Sequence, residues 1–146
     1  MKKLLTIFTL LCMAVMTLCG CGINYDLPEK PLAFEEMTYV NPNDAQDQYD
    51  MIAYADRYFV FYGTLGSTIH QEDIKAVIGY KFRDEFPDDK NERVMSLTAT
   101  NDYLMVYYVG REMEQPSFYR ALDTQGNDIE TPPYIQSLDY DIWKIN

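Results

Sequence analysis

Two runs of sequence, Tyr58–Leu65 and Tyr103–Val109, restrict what this chain can fold into more than any other feature. Both are dense in aromatic and β-branched residues, which fit a pleated surface and lose rotamer freedom in a helix. Each follows a short polar turn signal, Asp56-Arg57 in one case and Asn101-Asp102 in the other. In the second run Tyr103, Met105, Tyr107 and Val109 alternate with Leu104, Val106 and Tyr108. An apolar body is therefore offered to both faces, which places this strand in the middle of a sheet.

The same alternation, taken along the chain, gives strands at Met51–Ala55, Tyr58–Leu65, Ile74–Phe82, Arg93–Thr100, Tyr103–Val109 and Phe118–Asp123, with Ala33–Val40 as a candidate first edge strand. Turn chemistry separates them. Gly63 and Gly66 end the second strand, and Thr68 and Gln71 have capping-box spacing for a helical turn at Ile69–Asp73. Asp84–Glu92, which contains Pro87, is a charged loop, and Gly126 supplies permissive backbone in Thr124–Asn127. After Thr131 the period changes: Thr131 can cap a helix with Pro132 at its first position, and Ile135, Leu138, Ile142 and Trp143 fall on one helical face. The expectation is a mainly β (or α+β) fold, a small antiparallel barrel or sandwich of about six strands with a short C-terminal helix.

The succession Val77–Tyr80, Val94–Leu97 and Asp102–Val106 resembles the small β-barrel or sandwich domains of secreted proteins of Gram-positive bacteria, a likeness of pattern that implies no activity. Ala55–Tyr62 also echoes Thr100–Tyr107 at an offset of 45 residues, the period of a propeller blade. Two copies cannot close a propeller ring, so convergent strand patterning accounts for the echo.

At the N-terminus Lys2 and Lys3 precede an uncharged run, Leu4–Leu18, shorter than the roughly 20 residues of a comfortable bilayer crossing. The run closes Leu18-Cys19-Gly20-Cys21, with a branched aliphatic residue three places before Cys21 and a small one just before it. Cys19 fits the pattern less well, because Leu18 would then hold the small-residue position. This motif resembles the lipobox of bacterial lipoproteins. The resemblance implies that residues 1–20 are a signal peptide, that Cys21 carries a diacylglyceryl group, and that the protein is held on the outer face of the cytoplasmic membrane. Pro28, Pro31 and Pro42 in a polar stretch read as a lipid-anchored flexible tether over residues 21–48, leaving residues 49–146 as one globular β-rich domain.

Without residues 1–20 the chain has 126 residues, and its ten Lys and Arg stand against 23 Asp and Glu, a formal charge of -13. Such a field repels nucleic acid and anionic lipid alike, so no nucleic-acid partner is expected and membrane contact has to come through the acyl chains. It favours a basic protein or peptide as partner. Cys12, Cys19 and Cys21 are the only cysteines, so the domain has no disulfide framework, thiolate metal site or cysteine nucleophile, and no cofactor is expected.

Four tyrosines on the two strongest strands, Tyr58, Tyr62, Tyr103 and Tyr107, are candidates for a binding groove, since tyrosine offers large area at low entropic cost together with a polar tip. A core and cross-strand aromatic ladder uses the same residues equally well. Asp84, Glu85, Asp88, Asp89 and Glu92 are weak candidates for a calcium site; the loop has no glycine and lacks EF-hand spacing, and a solvated charged loop explains it. His70 is the only histidine and stands without a Ser, Cys or second His motif, so a surface position competes with a role as general base. Function therefore resolves into a non-enzymatic interaction module of the envelope, with a carboxylate-dependent hydrolase and a calcium-responsive domain as alternatives.

Overall fold

The computed structural model describes residues 22–144. Among the described residues the fold is mainly β, with nine strands where about six are expected from sequence: β1 (Leu32–Glu35), β2 (Met37–Asn41), β3 (Asp44–Tyr54), β4 (Arg57–Leu65), β5 (Ile74–Phe82), β6 (Glu92–Leu97), β7 (Tyr103–Tyr108), β8 (Ser117–Ala121) and β9 (Ile135–Ser137). They form one curled, half-barrel sheet in the order β1-β5-β6-β7-β8-β4-β3-β2, with β9 added to β4. All pairs are antiparallel except β1 with β5. β7 is the central strand its alternation predicts, with Tyr103, Leu104, Met105 and Val106 all buried.

The two sides of the sheet carry separate cores. Odd-numbered β7 residues join Val60, Tyr62, Met95, Leu97 and Phe118 in the larger core, which the C-terminal segment covers with Tyr134, Ile135, Ile142 and Trp143. Leu104 and Val106 of β7 join Phe34, Ile52, Phe59, Val94, Tyr119 and Ala121 inside the curl. The curl brings the flanks of the sheet together: Phe34 of β1 lies 6.0 Å from the Tyr54 ring of β3.

Glu36 alone separates β1 from β2. Residues 32–41 are thus one nearly continuous strand that pairs first with β5 and then, past Glu36, with β3, spanning the seam of the half-barrel. Gly79 makes the first pairing possible, because a Cβ there would sit 2.0 Å from the Leu32 carbonyl oxygen. The sheet therefore begins at Leu32, inside the span read from sequence as tether, and residue 49 lies within β3.

The expected C-terminal helix does not form; residues 132–143 fold instead as a turn, a short strand and a 3₁₀ turn. Ile135 N–H closes a turn onto the Pro132 carbonyl (3.0 Å), the chain enters β9, and Asp139 adopts a left-handed φ of 55° before a 3₁₀ turn at Asp141–Trp143. Leu138, assigned to the buried helical face, is 40% exposed. β9 instead pairs with β4 at Gly63, Thr64 and Leu65, and a short Pro-Pro-led helix is marginal without packing of its own. The helical turn at Ile69–Asp73 shrinks to a 3₁₀ turn, Gln71–Asp73, and the β3–β4 turn falls one residue earlier than read, at Ala55–Asp56 with φ of 50° and 60°. That two-residue turn with both φ positive matches the twist of a hairpin. Among the described residues no helix is long and apolar enough to cross a membrane.

Candidate functional site: an acidic cleft lined by tyrosines

β3 and β4 pair only over their hairpin end, from Tyr54↔Arg57 to Met51↔Val60. β4 then bulges between Phe61 and Gly63, and from Gly63 onward β9 takes the place next to it. A Cβ on Gly63 would lie 2.1 Å from the Gln136 carbonyl oxygen, so this exchange of neighbours requires glycine. The carbonyls turned out by the bulge are satisfied by the C-terminal segment. Leu138 N–H donates to the Tyr62 oxygen (3.2 Å), and the Trp143 indole N–H donates to the Phe61 oxygen (3.2 Å). β3 meanwhile continues with β2, and a cleft opens between the β2–β3 hairpin and the C-terminal segment.

Tyr39 and Tyr49 face each other across β2 and β3, and Tyr140 lies over Tyr49 with ring centroids 4.8 Å apart while also reaching Phe61 at 6.1 Å. The cleft they line has a volume of ≈ 930 Å³ and carries Asp44, Asp47, Asp139 and Asp141 on its walls, with Lys144 paired to Asp141. The hairpin tip is shaped by its own side chains: Asn41 Oδ1 accepts from Asn43 N–H (3.0 Å), Asp44 Oδ1 from Gln46 N–H (3.0 Å), and Asn41 Nδ2 donates to Asp47 (2.8 Å). Burial, then the hydrogen bond to Asp47, raises the Tyr49 hydroxyl above the usual phenol range, so it stays a neutral donor to that carboxylate.

A second depression, ≈ 640 Å³, adjoins the first through Asp47, Tyr49 and Tyr140 and reaches Asp50, Glu92 and Tyr119 at the mouth of the curl. Beneath it lies Lys81, its side chain 3% exposed, with Nζ 3.5 Å from Glu92, 3.7 Å from Asp50 and 4.0 Å from Glu36. Arg83 pairs with Glu92 and reaches Glu36 at 3.9 Å. Burial, reinforced by the charges of Asp50, Glu92 and Glu36, pushes the Tyr119 hydroxyl far above its ordinary value and keeps it protonated near neutral pH. The cluster joins β3, β5, β6 and the seam residue, and its chemistry is charge compensation across the closing edge of the half-barrel.

The tyrosines singled out from sequence lie elsewhere. Tyr62 and Tyr103 are buried in the larger core, with rings 5.3 Å apart, and the Tyr103 hydroxyl bonds Thr131 (2.8 Å). Tyr107 is half-buried against Tyr25 at 4.7 Å, and Tyr58 is 50% exposed. Of the acidic loop, Glu92 belongs to the Lys81 cluster, and Asp89 accepts from the Tyr108 hydroxyl (2.8 Å) and from Asn91 N–H (3.0 Å), the latter holding its carboxyl below the usual range before the former adds to it. Asp84, Glu85 and Asp88 are exposed. Among the described residues no group of three or more His, Cys, Asp or Glu is placed to hold a metal ion. His70 is exposed at the start of the 3₁₀ turn, its N–H donating to Asp73 (2.8 Å). Cys12, Cys19 and Cys21 lie outside the described residues.

The cleft residues carried one overlooked sequence signal. Asn41-Pro42-Asn43-Asp44 is a turn signature, with tyrosines at 39 and 49 on either side and alternating residues between. Comparison with protein-family models, with known proteins and with solved structures finds no match to this chain in any of the three.

Proposed function

We propose that this is a lipoprotein of the bacterial envelope, held on the outer face of the cytoplasmic membrane through a diacylglyceryl group on Cys21, whose β-domain is a non-enzymatic binding module for a basic peptide segment or basic protein surface. The anchor is supported by the lipobox-like run Leu18–Cys21. The binding reading is carried by one observation, the cleft in which Tyr39, Tyr49 and Tyr140 are flanked by four aspartates. A Lys or Arg side chain entering it meets ring faces, each worth about 0.5–1 kcal/mol at a partly exposed site, and carboxylates that complement its charge. The formal charge of -13 beyond residue 20 adds attraction at longer range and speeds encounter with a basic partner.

Calorimetric titration of the mature protein in detergent micelles with Lys/Arg-rich and Glu-rich peptides of equal length tests this. Basic peptides bind, with affinity falling as salt rises, and Tyr140→Ala or the pair Asp47→Asn and Asp141→Asn weakens them about fivefold or more, the equivalent of about 1 kcal/mol. Equal binding of both peptide classes, or affinity unmoved by the cleft variants, defeats the binding reading. Mass spectrometry that finds the Cys21 thiol unmodified defeats the anchor.

A further inference from the structure

The first part of the segment between the proposed anchor and the sheet, residues 23–27, is attached to the domain. Ile23, Tyr25 and Leu27 are half-buried while Gly22, Asn24 and Asp26 are exposed, the alternation of an extended chain laid on a surface. Ile23 and Tyr25 pack against the larger core, and Tyr25 stacks on Tyr107 at 4.7 Å. Arg93 Nε donates to the Tyr25 carbonyl (2.9 Å), and Asn24 N–H donates to the Gln71 side-chain oxygen (2.6 Å). Leu32 then enters the seam strand beside Gly79.

We infer that the domain lies flush against the bilayer in a fixed orientation, with the face around Ile23 and Gln71 toward the lipid headgroups. This rests on the lipid anchor proposed above. Consecutive Cα atoms are about 3.8 Å apart, so Cys21 is within about 8 Å of the docked Ile23 by covalent geometry alone, too short a reach to lift the body clear of the headgroups. The face bears Asp26, Glu72 and Asp73 against Lys75, so its placement rests on the short reach of the chain and not on charge.

Neutron reflectometry of the lipidated protein on a supported phosphatidylethanolamine–phosphatidylglycerol bilayer tests the inference. The protein layer is expected to start at the headgroups, and insertion of 15 Gly/Ser residues between Gly22 and Ile23 is expected to open a water layer of about 20 Å. Chymotrypsin is expected to spare Tyr25 and Leu27 in the parent protein and to cut there in Ile23→Ser. A water layer of the same thickness with and without the insertion, or rapid cleavage at Tyr25 in the parent, overturns flush docking while leaving the anchor intact. An unmodified Cys21 thiol overturns the anchor and bilayer apposition together, and leaves the protease result as a property of the domain alone.

Discussion

Two cation-centred clusters in this molecule hold strands together with the same charge balance but differently buried cations. Arg57, with its side chain 27% exposed, bridges Asp123 through two hydrogen bonds of 2.8 and 2.6 Å and also bonds Asp102 (2.8 Å) and the Asn101 carbonyl (2.9 Å), tying three turns at one end of the sheet. Lys81 and Arg83 meet Glu36, Asp50 and Glu92 at the mouth of the curl, with Lys81 almost wholly enclosed. Each cluster has one carboxylate more than it has cations. Water reaches every member of the first, whereas in the second it reaches Asp50 and Glu36 but not Lys81 and little of Glu92, so the physics of removing the cation differs.

Removing the buried cation should therefore do most damage. Lys81→Ala leaves three carboxylates facing one another across the seam with only Arg83 for company, and we expect a loss of about 3–5 kcal/mol in urea unfolding. Lys81→Met combined with Glu92→Gln should restore part of that loss, because excess negative charge rather than a missing side chain is what destabilises. If Lys81→Ala behaves like a surface variant, the enclosed cluster is no more critical than the open one and the contrast fails.

Next in size is Gly79→Ala, which sets a methyl 2.0 Å from the Leu32 carbonyl oxygen and should cost about 2–4 kcal/mol while loosening residues 32–35 in particular. Amide exchange at β1 should rise far more than at β7, and uniform loss across the sheet would show that the seam is not a separate weak point.

The smallest effect belongs to the open cluster. Arg57→Ala should cost about 1 kcal/mol or less from its ion pairs, since the Asp123 side chain is 58% exposed. Its pH dependence has a definite sign. Arg57 is raised, chiefly by its bonds to Asp123, and stays charged throughout, whereas Asp123 is lowered, chiefly by Arg57. The stabilisation is complete above the unfolded aspartate pKa of about 3.9 and disappears as pH falls through the lower folded value. The stability gap between parent and Arg57→Ala should accordingly be level from pH 7 to about 5 and narrow in acid; a gap that widens there contradicts this assignment.

Local periodicity carried most of the sheet. β4, β5 and β7 lie almost residue for residue where aromatic and β-branched alternation puts them, because that pattern is a property of each strand taken singly. The seam strand and β9 were less legible because they exist through distant neighbours. Residues 32–41 have exposed alternate positions and a polar, Pro-flanked setting, so they read as edge strand or tether until β5 and β3 are seen on either side. Gly63, whose sequence setting reads as a strand end, and Gly79, which looks like an ordinary strand glycine, permit those unusual approaches. The apolar spacing 135, 138, 142, 143 fits a helix by arithmetic, yet three of these side chains reach the core from a strand and a 3₁₀ turn. The cleft was hidden for the same reason: its tyrosines come from a hairpin that straddles the expected boundary between tether and domain at residue 48 and from a C-terminal segment expected to be helical.

Glu36 also divides the chain in time. On its C-terminal side β2, β3 and β4 form a meander whose pairings close over short loops, while on its N-terminal side Leu32 has to find Gly79, 47 residues further along. Short-range hairpins are kinetically cheap and long-range parallel pairing is slow, so a strand continuous in space should assemble in two acts, its second half early and its first half last. The residue that starts the half-barrel in sequence is thus the one that completes it.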